Sequence, residues 1–162
     1  MLALRLAFPE HLVDLRHVGL PGAHHRGDAF WLGACTILTG ILFPPWLGRC
    51  GFAIAEFARR GRDFALAGAA VAVALDDSGR IERCGIALFG LGAVPLHASA
   101  AETALTGSGA DDVGADEVGR LAVDGLDAVP ADLHASAEYR RHVGAVIVAR
   151  AWQRAVQEAR SA

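Results

Sequence analysis

The chain has 162 residues, 53% of them hydrophobic, which suits one domain with an ample core, or one domain plus a short arm. A formal net charge of −3, with no basic run and no lysine at all, argues against a polyanion-binding surface, and no nucleic-acid partner is expected. Cys35, Cys50 and Cys84 are single and widely spaced, so no CxxC pair supports a zinc or iron–sulfur site. Without a secretion signal the odd count suits a reducing cytoplasm, with the thiols as small buried hydrophobes.

Residues 1–28 are short and mixed. Arg5, Glu10, Asp14 and Arg16 interrupt the start and argue against a signal peptide. Leu12-Val13-Asp14-Leu15 reads as one helical turn or a short strand, and Gly19 to Gly27 as a turn-rich loop around Pro21-Gly22. His24 and His25, with His11 and His17, lack acids or cysteines at convincing ligand spacing, so a solvated histidine loop is expected and not a metal site. From Ala29 to Gly48 the chain carries no charge, over roughly the length of a spanning helix. Pro44-Pro45, Gly33, Gly40 and the β-branched cluster Thr36-Ile37-Thr39-Ile41 favour two buried strands instead, although no turn separates them.

Gly51 to Gly92 is the organising stretch and reads as three strands. These are Phe52 to Arg60, Phe64 to Leu75 (an Ala/Val run of the kind buried on both faces) and Ile81 to Gly90. Asp76-Asp77-Ser78-Gly79-Arg80 is a hairpin signal, acids and serine ahead of a glycine able to take positive φ, so the second and third strands are expected to pair antiparallel. After Pro95 the period changes. Ser99 to Leu105 reads as a short helix with Gly107 just past its end, followed by a flexible acidic loop from Ser108 to Gly114. Asp116 is placed to cap a second helix carrying Val118, Leu121 and Ala122. Ser136 is placed to cap a third, running to about Glu158 with Glu138 in its first turn. Val143 to Ala149 is apolar on nearly all sides, which makes this last helix central. The expected fold class is α+β: a three-stranded antiparallel sheet followed by a three-helix bundle.

Neither a nucleophile elbow nor a P-loop nor a GxGxxG fingerprint is present. Asp132-Leu133-His134-Ala135-Ser136 gathers Asp, His and Ser within five residues, but a triad converges from separate elements, and a helix cap accounts for it better. The stretch Phe57 to Gly68 differs. It sets Arg59, Arg60, Arg62 and Asp63 on a turn held by a rigid sheet, where binding residues tend to lie. Arginine offers fork-shaped donors for a phosphate or a polar ring edge, and an adjacent aspartate accepts from a ring N–H. From the residues alone, a binding turn and a solvated, salt-bridged turn are equal readings.

Three segments carry a resemblance: EFARRGRDFALAGAAVAV, GIALFGLGAVPLHASAAETALTG and DLHASAEYRRHVGAVIVARAW, in that order over roughly residues 49–158. Together they resemble the C-terminal domain of the FAD-binding medium subunit of molybdenum hydroxylases, the family of the carbon monoxide dehydrogenase medium subunit and the flavin part of xanthine dehydrogenase. The resemblance implies an electron relay: FAD takes electrons from 2Fe-2S clusters fed by a molybdopterin centre and passes them to NAD, a quinone or another acceptor. It implies FAD as cofactor, a large molybdopterin subunit and a small 2Fe-2S subunit as partners, and Arg59, Arg60, Asp63 and Phe64 as flavin-binding residues beside the isoalloxazine ring. Arg62 stands where the family often has glycine, and His97 where it often has arginine.

LALRLAFPEHLVDLRHV and WLGACT resemble a piece of that family's FAD-binding domain just after its first glycine-rich phosphate loop, and ILTGILFPPWLGRCGFAIAEFARR resembles its end. The implied layout is a truncated remnant of a mixed α/β FAD-binding domain over 1–48, followed over 49–162 by the C-terminal domain of the medium subunit. The segment carrying the second glycine-rich loop is missing between Thr36 and Ile37. Such loops grip the pyrophosphate through backbone amides, and the isolated chain is not expected to act alone. Two alternatives stand beside the FAD electron-transfer subunit: a cofactor-free subunit-docking module retaining only the C-terminal fold, and a small membrane-attached protein using residues 29–48.

Overall fold

The computed structural model describes residues 23–26, 29–32, 46–61 and 63–162. The chain divides into two compact units, Met1–Pro44 and Pro45–Ala162. In the first, β1 (Ala23–Arg26) and β2 (Ala29–Leu32) form an antiparallel ladder with His24 opposite Trp31 and His25 opposite Phe30. His24 and His25 therefore lie in a strand and not in the expected loop. Their own residues carry no strand pattern, and the aromatic partner segment has the higher β preference. Ala29–Leu32 is extended, as expected for the start of the uncharged run. The Thr36–Ile37 junction, the rest of that run up to Pro45, and Arg62 lie outside the described residues. Among the described residues no helix is long and apolar enough to cross a membrane.

The second unit carries a sheet in the order β3 (Arg49–Phe57), β4 (Ala67–Leu75), β5 (Ile81–Phe89), β6 (Leu96–His97), with every pairing antiparallel. Three helices follow: α1 (Ser99–Leu105), α2 (Ala115–Val123) and α3 (Ala137–Ser161). The α+β class holds, with three long strands ahead of three helices. The fourth strand has two residues, too few to leave a period in sequence. The Asp76–Arg80 turn joins β4 to β5 as expected, with Gly79 at φ 80°.

Strand alternation decides which face meets the helices. On β4, Ala67, Ala69, Val71, Val73 and Leu75 are buried beneath them. On β5, Ile81, Cys84, Ile86 and Leu88 continue that face across an irregularity in register at Ala74/Leu75. α3 covers the β3–β4 part of the face with Ile147, Val148, Ala151, Trp152, Ala155 and Ala159, and α1 lies against β5. Trp152 is 2% exposed, and burying a side chain of that kind stabilises by several kcal/mol before entropy is counted, on the order of 25 cal/mol per Å². Burial also pushes the Cys84 thiol up, consistent with an inert packed group. The expected burial on both faces holds only in part: on the other side Gly68 and Ala74 at the ends of β4 are buried, while Ala70 and Ala72 at its centre are half-buried. An Ala/Val run gives no polar contrast from which the open face could be read.

The helix ends follow local chemistry. Ser136 caps α3, its side chain accepting from the Tyr139 N–H at 3.1 Å. α3 then runs to Ser161, slightly past the expected end, because its buried stripe continues through Ala159. Asp116 does not cap α2. The Glu117 and Val118 amides donate to the Gly114 carbonyl, so the cap is Gly114 and the helix starts two residues earlier than an Asp116 cap would give. Asp116 sits in its first turn, where the dipole still favours it. Gly51 sets how closely α3 approaches β3: a Cβ there would overlap the Ala155 carbonyl oxygen.

Candidate functional site

β4 begins at Ala67 and not at Phe64, so residues 58–66 form a loop between β3 and β4. The Leu66 N–H donates to the Phe57 carbonyl at 2.8 Å and closes its base, while the Asp63 N–H donates to the Arg60 carbonyl at 3.2 Å. One Asp63 carboxylate oxygen accepts from the Phe64 N–H at 2.9 Å. Phe64 is 94% exposed, unusual for a side chain whose transfer from water is favourable.

The second stem of the loop is held from outside. Arg140, on α3 and only 5% exposed, donates through Nη1 to the Leu66 carbonyl at 2.8 Å and to the Gly90 carbonyl at 3.3 Å. Its Nη2 donates to Asp132 Oδ2 at 2.7 Å, and its Nε is buried without a hydrogen-bond partner. Asp132 Oδ1 in turn accepts from the His134 N–H at 2.8 Å and the Ala135 N–H at 3.0 Å, ordering the loop ahead of α3. The His134 amide, joined by that of Ala135 and by Arg140, holds the Asp132 carboxyl below the usual carboxylate range.

These elements border a polar surface cavity of about 250 Å³ lined by Arg59, Asp63, Phe64, Asp132, His134 and Arg140, of which only Arg140 is buried. Three of the four sequence-predicted residues thus converge. Arg60 does not line the cavity; its carbonyl serves the turn and its side chain is exposed. Asp132, His134 and Arg140 were not expected there. Ser136 is the cap that the sequence suggested, and Asp132 and His134, in the turn just ahead of it, line the cavity instead. Arg140 had a legible signal: it stands in register with Gly144, Ile147, Val148 and Ala151 on the buried stripe of α3, and a buried charge must find partners.

A larger hollow, about 330 Å³, lies on the open face of the sheet between Phe52, Ile54, Ala70, Ala72, Ala87 and His97. Phe52 and Ile54 are 51% and 69% exposed. Its walls are almost wholly apolar, so it offers surface and shape but little chemistry. The smaller cavity, with donors, acceptors and an aromatic side chain together, is the candidate site. Among the described residues no cluster of three His, Cys, Asp or Glu side chains could hold a metal ion.

Residues 52–155 match the CO dehydrogenase flavoprotein C-terminal domain. The chain belongs to that family. The 6-hydroxypseudooxynicotine dehydrogenase complex subunit alpha of Paenarthrobacter nicotinovorans is 37% identical over 110 residues, which cover 68% of this chain and 37% of the relative. Quinoline 2-oxidoreductase from Pseudomonas putida 86 shares the fold with a TM-score of 0.63 at 30% identity, over 68% of this chain and 38% of that one. Reconstituted CO dehydrogenase from Oligotropha carboxidovorans gives a TM-score of 0.62 at 30% identity, over 71% of this chain and 39% of that one. The chain thus spans well under half the length of the relatives it matches. The family match falls within the stretch over which the three motifs carried the resemblance, and the cavity is built from the first and third of those motifs.

Proposed function

We propose that this chain supplies the ring-facing wall of a flavin site in the flavoprotein component of a molybdenum-dependent dehydrogenase. The observation that carries this reading is the convergence of Arg59, Asp63 and Phe64 with Asp132, His134 and Arg140 around one cavity, in a chain of a flavoprotein-domain family. The residues fit one part of FAD. The Arg59 guanidinium suits a ring carbonyl, the Asp63 carboxylate a ring N–H, and the exposed Phe64 side chain an apolar ring face. A glycine-rich phosphate cradle is absent among the described residues: the positive-φ glycines 48, 79, 90, 107 and 125 lie in turns flanking strands and helices. The recognition offered here is therefore of the ring and not of the pyrophosphate.

A bound flavin would supply one- and two-electron exchange between a 2Fe-2S subunit and an external acceptor. The chain's own residues orient the polar ring edge, keep a positive charge beside it and shield one face from water. Partnership with a large molybdopterin subunit and a small 2Fe-2S subunit follows from the family. It is supported by the P. nicotinovorans relative, which is a subunit of a dehydrogenase complex, and by a TM-score of 0.65 at 27% identity to a CO dehydrogenase from Hydrogenophaga pseudoflava that lacks the Mo-pyranopterin moiety of its molybdenum cofactor. A reducing cytoplasm agrees with free Cys50 and Cys84.

Fluorescence titration of FAD and riboflavin with the purified chain tests the reading. Saturable 1:1 quenching by both, with affinities within about tenfold of one another, is expected of a site that reads the ring (a difference of about 1.4 kcal/mol). Absence of quenching for either ligand up to millimolar protein would overturn it. In that event the docking module becomes the better account, supported by the apolar open face around Phe52 and Ile54. Its sign would be co-purification with a large molybdenum subunit in the absence of flavin.

A further inference from the structure

We infer that Arg140 is a positioning residue for the 58–66 loop, and that through it the Asp132–Arg140 pair sets whether Arg59, Asp63 and Phe64 face a ligand together. The inference deepens the flavin-site proposal and rests on it for the identity of that ligand. Arg140 acts on the loop through its backbone. The Leu66 amide closes the loop on Phe57, and the carbonyl of the same residue is the acceptor that Arg140 Nη1 holds at 2.8 Å. The same nitrogen reaches the Gly90 carbonyl at the exit of β5, so one guanidinium ties the entry of β4 to the end of β5. Its other nitrogen holds Asp132, whose carboxylate orders the segment that contributes His134 to the cavity.

Ordinary structural roles do not account for this placement. Arg140 occupies a position on the apolar stripe of α3 where an aliphatic residue would pack without burying a charge, and its Nε lies buried with no partner. A buried guanidinium is costly unless it is paired and hydrogen-bonded, and here the bonds that offset the cost join the two halves of one cavity. Gly90 agrees with the same design. A Cβ there would approach the Ala65 and Leu66 carbonyl oxygens at 2.8 and 2.9 Å, so the loop stem is seated directly against the β5 exit.

Limited trypsin digestion of the full chain reads the loop without any cofactor, because cleavage follows Arg59, Arg60 and Arg62, with Arg80 in the β4–β5 turn as internal reference. Arg140→Met is expected to raise the loop-to-Arg80 cleavage ratio at least about tenfold and Asp132→Asn about threefold, through local opening, with Arg140→Lys recovering part of the effect. The same variants are expected to weaken riboflavin binding in parallel. If Arg140→Met fails to fold, Asp132→Asn at the more exposed end of the pair decides. An unchanged ratio in Asp132→Asn, or in a folded Arg140→Met, overturns the inference. A raised ratio in a chain whose wild type takes up no flavin sustains the positioning role and sinks the flavin reading. Flavin uptake by wild type with unchanged ratio and affinity in the variants does the reverse.

Discussion

Two connections of one sheet are built on different logic. Between β4 and β5 the chain turns within Asp76–Arg80, where Asp76 Oδ1 accepts from the Ser78 N–H at 2.8 Å, the Ser78 hydroxyl at 2.7 Å and the Arg80 N–H at 2.9 Å. Those bonds hold the Asp76 carboxyl below its usual range, the Ser78 hydroxyl contributing most. Between β3 and β4 the loop is closed at its base and then held by Arg140, 74 positions further along the chain from Leu66. A turn that only reverses direction can be written in consecutive residues. The loop proposed to present Arg59, Asp63 and Phe64 to a ligand is held by groups that converge on it, so its geometry can be altered while the sheet stays intact.

The largest effect expected on this contrast is from Arg140→Met, which should destabilise the chain by about 3 kcal/mol in urea denaturation. It removes charge-assisted bonds to two carbonyls and one carboxylate at a buried position. Gly90→Ala should cost about 2 kcal/mol and loosen the loop stem, since φ is 75° and the added methyl meets two carbonyl oxygens. The turn at Gly79 takes φ 80° with open space where a Cβ would stand, so Gly79→Ala should cost about 1 kcal/mol and leave loop proteolysis unchanged.

Acid separates the two connections further. Asp132 and Asp76 both have folded values below the ordinary 3.8, so each contribution is fully present above that pH and is lost as pH falls from it through the lower folded value. Acid titration of stability should therefore flatten in Asp132→Asn and in Asp76→Asn separately. Only Asp132→Asn should abolish the acid sensitivity of loop opening, read by amide hydrogen exchange at Asp63 and Leu66. The smallest stability effect is expected from Phe64→Ala, within about 0.5 kcal/mol because the side chain is exposed, while riboflavin quenching falls.

Much of the fold was legible because its signals are local. The Asp76–Arg80 turn, the Ser136 cap and the apolar stripe of α3 each follow from neighbouring residues. β6 was not legible, since Leu96 and His97 have no period of their own and are strand only because β5 pairs with them at Ala87 and Leu88. Of the site, the sequence offered the Arg59–Phe64 turn, whose charges between apolar runs stand out. The other half was hidden by its double use. Asp132 and His134 lie in the turn ahead of the Ser136 cap and read as part of it. Arg140 shows in sequence only as a charge on the buried stripe of α3, its partners appearing once α3 is laid against the sheet.

Backbone amide shifts of the labelled chain during riboflavin titration test the central claim most directly. The account predicts changes concentrated at Asp63, Phe64, His134 and Ala135, with Ser78 and Gly79 unmoved as the internal reference. Shifts gathered instead at Phe52, Ile54 and Ala87 on the open sheet face, or none at saturating riboflavin, would contradict it.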